Sequence, residues 1–190
     1  RIIRMLNVVN DSLVIDEKGI YSVEKFLIAR SLMYWRVYMH KAVIASESLL
    51  VNVLKRAKEL AMNGTDIYAT PALRFFLYNR LGTNDLLKEG KFTPGLLAAN
   101  FTRLDDSDIL VSAKYWADSS DRILSDLSSR LMRRGLFAIE LQNEPFSEER
   151  VNRLKTQAME MMKTDPGQAG YYVFTNSISN PGYTPHSPEV

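Results

Sequence analysis

A mainly α-helical domain with one small β-hairpin and a C-terminal α/β unit of strand, helix and strand is the fold class this sequence predicts, and three observations carry it. From Val23 to about Met62 there is neither proline nor glycine, and good helix formers dominate. Shorter helix-like segments, punctuated by Pro, Gly, Asp and Ser, follow as far as about residue 132. Beyond Gly135 the pattern changes to LFAIEL, then SEERVNRLKTQAMEMM, then YYVFTNSIS, which reads as strand, helix, strand. The predicted division is a helical portion at 1–132 and a small α/β unit at 133–190, cut before its next strand.

Taken in order, RIIRMLNVV opens the chain as part of an amphipathic element. Leu13 to Ser22 (LVIDEKGIYS) reads as a hairpin with Asp16 and Glu17 at its tip and Gly19 at a position of positive φ. The long helix that follows would measure roughly 60 Å unbroken, more than a small domain covers, so it is expected to bend, break or pack on further chain. Asn63-Gly64 supplies its stop. Thr70-Pro71 starts a helix running to Leu81, before Gly82. Thr83 to Arg103, with Gly90, Pro94 and Gly95, reads as loop with a short helix. Two more helices begin near Leu104 to Asp108 and at Ser120, the second ending near Arg133. The tail SNPGYTPHSPEV reads as extended.

Composition excludes several classes of function. With 190 residues, 46% of them apolar, the chain can bury a core. Lys and Arg number 24 against 22 Asp and Glu, a net charge of +2, which is not the footprint of a nucleic-acid wrapper. No cysteine is present, which removes disulfide scaffolds, thiolate metal sites and cysteine nucleophiles, and fits a cytoplasmic setting. The most apolar region is interrupted by Arg30, Arg36, His40 and Lys41, so no membrane helix is expected. His40 and His186, the two histidines, have no spacing that suits a metal centre. Gly-rich phosphate loops and GxSxG elbows are absent.

The richest constellation is ARSLMYWRVYMHK, Ala29 to Lys41. At about 100° per residue, Arg30, Tyr34, Tyr38 and Lys41 fall at roughly 0°, 40°, 80° and 20°, so two cations and two phenols share a helix face. A guanidinium grips phosphate through a planar fork, and a tyrosine packs on a sugar or base while its hydroxyl hydrogen-bonds. Periodicity alone favours the blander reading, in which the tyrosines and Trp35 are core and the cations snorkel. Asp105, Asp106 and Asp108 could offer oxygens to Mg²⁺, but a first-turn cluster of this kind more often caps its helix. Arg130, Arg133 and Arg134 form a basic patch that a helix end accounts for equally well.

In order along the chain, RIIRMLNVV with its hairpin, ARSLMYWRVYMHK, FTRLDDSDIL and RRGLFAIEL resemble the HD-domain phosphohydrolases of the dNTP triphosphohydrolase and SAM-and-HD-domain kind. The likeness spans Arg1 to Leu141, and YYVFTNSIS extends it; its most specific part is the arginine, the tyrosine eight residues later and the HK that ends YMHK. It implies a cytoplasmic, metal-dependent enzyme that hydrolyses a deoxynucleoside triphosphate to nucleoside and triphosphate, with His and Asp side chains holding the divalent metal. The His…HD…Asp motif that names the family is absent from these 190 residues and is expected before Arg1. No catalytic or metal-binding residue is therefore assigned in this chain, and alone it is expected to be inactive.

The resemblance further implies that Arg30 holds the terminal phosphates, that Tyr38 lies against the sugar, and that Tyr34 lines the pocket. Relatives are often homo-oligomers activated by nucleotides bound between subunits. The positions matching that second site are Arg1, Arg4, Lys18, His40, Lys41, Arg134 and Leu136; Ala138 stands where some relatives have a cation. The implied partners are a dNTP substrate and nucleotide activators, with no membrane and no specific nucleic acid. The alternative is a noncatalytic nucleotide-sensing or oligomerisation module using the same stripe.

Overall fold

The computed structural model describes residues 2–82 and 92–178. These form two compact units, one of residues 2–44 with 176–178 and the other of 45–82 with 92–175.

The first unit opens with a short 3₁₀ turn, Ile2–Met5, and a hairpin of β1 (Leu6–Val9) and β2 (Ser12–Ile15). Leu6 lies opposite Ile15 and Val9 opposite Ser12. The hairpin therefore sits earlier than the expected 13–22. Its turn is Asn10-Asp11, with φ of 51° and 59°, the left-handed pair that a tight two-residue connection needs. Gly19, expected at positive φ, instead has φ of −89° at the end of a second 3₁₀ turn, Glu17–Gly19. Glycine is required there for close approach: a Cβ would lie 2.8 Å from Ile15 Cγ2 and 3.0 Å from Met5 Cβ.

Helix α1 (Ile20–Met33) buries none of its residues within this chain. It passes into a π-helical turn, Tyr34–Tyr38, in which the Met39 N–H donates to the Tyr34 carbonyl five residues back at 2.8 Å. YWRVY is aromatic or β-branched at four of its five positions, side chains that crowd the preceding turn of an α-helix. The long helix thus breaks, and α2 (Lys41–Met62) starts afresh. His40 begins it, its carbonyl accepting from Val43 and Ile44 and its Nδ1 accepting the Ala42 N–H at 3.2 Å.

In the second unit α2 presents Leu49, Val53, Ala57 and Ala61 to the core, with Asn52 and Arg56 on the same face. Gly64, at φ of 85°, follows its end as expected. Helix α3 (Pro71–Tyr78) stops three residues short of the expected Leu81, and Lys58 Nζ donates to the carbonyls of Phe76 and Asn79 at that end. Helix α4 (Pro94–Phe101) starts from the Thr93 cap, and α5 (Asp106–Trp116) and α6 (Arg122–Arg133) complete the packed helices. Leu73, Leu77, Ala113, Trp116, Ile123, Leu124 and Leu127 close the core. The buried Trp116 satisfies its indole N–H on the Tyr68 carbonyl at 2.8 Å.

Past Gly135 the expected helix is present as α7 (Glu148–Met162), followed by a short α8 (Pro166–Ala169). The flanking strands are not formed: among the described residues the hairpin is the one sheet, and 136–141 and 173–178 run without a ladder. Leu136, Phe137, Tyr171 and Tyr172 pack on the core through their side chains, with Phe137 edge-on to Tyr172 and Phe174. The apolar pattern there encodes burial without supplying a strand partner. Gly90 and the proline-rich tail lie outside the described residues. Among the described residues no helix is long and apolar enough to cross a membrane.

Candidate functional site

Arg30, Tyr34 and Tyr38 are brought together in the first unit. Arg30 occupies the last turn of α1, and the two tyrosines open and close the π turn. The Arg30 Nη2 donates to the Tyr34 hydroxyl at 3.3 Å, and its guanidinium carbon stands 5.2 Å from the centre of that ring. The Tyr34 and Tyr38 rings are 5.1 Å apart, tilted by 55°. Arg30 is exposed, Tyr34 half-buried, and Tyr38 52% exposed, with Trp35 65% exposed. Within this chain the stripe is therefore surface, not core. Among the described residues no carboxylate lies within ion-pairing distance of Arg30. Its remaining donors face solvent, the state in which a guanidinium takes an anion without first giving up a partner.

Lys41, expected on the same face, stands beyond the break, where uniform spacing of about 100° per residue no longer applies. His40 is an exposed cap of α2, with its Nδ1 engaged by the Ala42 N–H. Arg4 and Lys18 are exposed in the same unit, and Arg1 lies outside the described residues. Arg134 and Leu136 belong to the second unit. Leu136 packs against the core, whereas Arg134 is exposed at the end of α6 in a left-handed conformation, φ 57°. A non-glycine residue held there carries strain of order 1 kcal/mol. Of its basic neighbours, Arg130 is bound to Asp126 at 2.8 Å, and Arg133 is exposed.

The acidic cluster caps its helix. The Asp105 carboxylate accepts from the N–H groups of Ser107 and Asp108 at 2.7 and 3.2 Å, and the Asp108 carboxylate in turn accepts the Asp105 N–H at 2.9 Å. The neighbouring Thr70 side chain, then the Asp105 N–H, hold the Asp108 carboxyl below its usual range. Among the described residues no group of three or more His, Asp or Glu side chains is placed to hold a metal ion. The described side chains therefore offer no donor set that fits a divalent centre.

One polar constellation escaped the sequence. Arg56, with 11% of its side chain exposed, donates from Nε and Nη2 to both Asp121 oxygens at 3.1 and 2.6 Å, and from Nη1 to Glu59 at 2.8 Å. Asp121 also accepts the Leu124 N–H at the start of α6, at 2.8 Å. The Tyr171 hydroxyl donates to Glu59 at 2.5 Å, its carbonyl accepts from Asn52 at 3.0 Å, and its ring lies 5.8 Å from the Arg56 guanidinium carbon. The bonds that Arg56 donates to Asp121, chief among the causes, raise its pKa well above its ordinary value. Burial opposes ionisation of Asp121, yet Arg56 and the Leu124 N–H win and hold its carboxyl low. Tyr171 holds Glu59 low, and burial, then Glu59, pushes Tyr171 itself up to about 12. The array clasps α2, α6 and the segment after α8. The signal for it was the spacing that puts Arg56 on the face of Leu49, Asn52 and Val53.

The HD associated region family matches residues 1–74 of this chain. An uncharacterised protein of Bacillus subtilis, YwfO, is 31% identical over 188 residues, covering 99% of this chain and 39% of that protein. A crystal structure of a phosphohydrolase from Bacteroides thetaiotaomicron superposes with a TM-score of 0.86 at 43% identity, over 96% of this chain and 44% of that one. The chain thus spans about two fifths of the length of both.

Proposed function

We propose that this chain is part of an HD-family phosphohydrolase, and that the complete protein hydrolyses deoxynucleoside triphosphates to nucleoside and inorganic triphosphate. The match of residues 1–74 to the HD associated region and the likeness to a phosphohydrolase support this reading. In this reading Arg30 holds the terminal phosphates, Tyr38 lies along the sugar, and Tyr34 stands between them. The observation that carries it is the exposed Arg30 guanidinium, free of any carboxylate among the described residues and backed by two phenol rings on one surface. A planar fork with unspent donors beside a flat apolar ring matches a phosphate joined to a sugar. The divalent metal that this chemistry calls on is proposed to be held by His and Asp side chains of the complete protein, in the cytoplasm.

The test is product analysis. The complete protein, given each dNTP with Mg²⁺ or Mn²⁺, should release nucleoside and triphosphate in equal amounts. Release of monophosphate and pyrophosphate would replace the reading with a different cleavage. Binding of dNTP without turnover would instead favour the noncatalytic nucleotide-sensing module.

A second part of the proposal is regulation, through nucleotides bound between subunits of a homo-oligomer by Arg1, Arg4, Lys18, His40, Lys41, Arg134 and Leu136. Clustered phosphates need several cations, and Lys18 and Arg134 are both exposed without an ion-pair partner among the described residues. The strained backbone of Arg134 supports a role beyond ending a helix, since glycine would hold that conformation without strain. Lys18→Ala or Arg134→Ala should weaken nucleotide-induced assembly and activation while basal hydrolysis stays nearly intact. Sedimentation velocity and initial rates with each dNTP as activator check this, and variants that assemble and respond like the parent remove the assignment.

A further inference from the structure

We propose that Tyr34 is a positioning residue for the Arg30 guanidinium: it holds that group in place through its hydroxyl and ring, without neutralising it and without itself contacting the phosphates. The inference rests on the reading of Arg30 as the phosphate ligand and assigns Tyr34 a role distinct from that of Tyr38.

An exposed arginine has many rotamers, and binding must remove that freedom unless the side chain is already held. Carboxylates are the usual holders, and a carboxylate here would compete with phosphate for the same donors. Tyr34 is uncharged. It accepts a single N–H of Arg30 at 3.3 Å, and its ring lies 5.2 Å from the guanidinium carbon. Four of the five guanidinium donors and the full positive charge are left for an anion. Tyr34 can serve as holder because it is itself held: it is half-buried where Arg30 and Tyr38 are exposed, and its ring packs on Tyr38 at 5.1 Å.

The backbone adds to this. The Tyr34 N–H still donates to the Arg30 carbonyl, as the last link of α1, while its carbonyl accepts the bond from Met39 that makes the π turn. The residue that touches the guanidinium is thus the junction between two helical geometries. Widening of the turn begins at Tyr34, so the spacing from Arg30 to Tyr34 remains α-helical, and this keeps the two side chains adjacent.

A double-mutant cycle on the complete protein tests the proposal, with binding of inorganic triphosphate by titration calorimetry as the readout, so that turnover is not needed. Tyr34→Phe keeps the ring and removes the acceptor; Tyr34→Leu removes both. Tyr34→Phe should raise Kd by about fivefold and Tyr34→Leu by about tenfold or more, the scale of a hydrogen bond to a charged group at a partly exposed site. In the Arg30→Ala background both should have no further effect, and the thermal midpoint of Tyr34→Phe should match the parent. An equal loss in both backgrounds, or no loss in the parent background, would overturn the positioning role. Arg30→Ala without effect on Kd would overturn the phosphate reading first and this inference with it. If Tyr34→Leu misfolds, Tyr34→Phe alone decides.

Discussion

Arg30→Ala should lower kcat/KM of the complete protein by about 30-fold to 1000-fold, on the order of 2 to 4 kcal/mol, the scale of truncating a hydrogen-bonded charge pair. The loss is specific to binding because Arg30 neutralises no carboxylate among the described residues and fills no core; its contacts are with Tyr34. Stability should therefore change by no more than about 0.5 kcal/mol, as for other surface substitutions. Arg30→Lys should recover only part of the loss, since an ammonium keeps the charge but not the planar fork. Tyr38→Phe separates ring from hydroxyl at the far side of the same array. An unchanged kcat/KM there would mean that Tyr38 acts through its ring alone. If Arg30→Ala has full activity and reduced stability, the guanidinium is a structural group.

Arg56→Met should destabilise the second unit by about 3 kcal/mol or more, because it leaves two carboxylates facing a site that has lost its cation. Asp121 is the more costly of the two, its side chain being 20% exposed where that of Glu59 is 45% exposed. The pH dependence follows from the direction of the shifts. In the parent both carboxyls titrate below their ordinary values, so their contribution is fully present above about pH 5 and is lost as pH falls through the native-state pKa. In Arg56→Met burial of Asp121 goes unopposed by a cation and raises its pKa, which makes the variant relatively less unstable in acid. Urea denaturation at pH 7 and at pH 4 should therefore show a gap between parent and variant that narrows at the lower pH. A gap that is constant with pH would mean that packing of the Arg56 stem, not its charge, stabilises the unit.

Much of this protein is local, and its sequence alone determines that part. The capping box of Asp105 and Asp108, the Pro71 and Pro94 helix starts and the glycine after α2 each depend on residues within a few positions of one another. The Arg30 and Tyr34 pair is legible for the same reason, four residues apart on one α-helical turn. Tertiary context decided the rest. Gly19 looked like a turn glycine, and only the approach of Ile15 and Met5 shows that it is there for want of a Cβ. The place where the long helix breaks depends on how YWRVY crowds its own backbone, which a fixed angular step cannot register, so uniform spacing puts Lys41 on a face that in fact ends before it. The flanking strands of the C-terminal unit failed because alternation reports burial, whereas a strand needs a partner with open backbone groups. Arg56 bonds to Asp121, 65 positions along the chain, and Asn52 to Tyr171, 119 positions along. No local pattern encodes such a meeting: a buried charge is tolerated only where the fold delivers its counter-charge, and that delivery is a property of the packed chain.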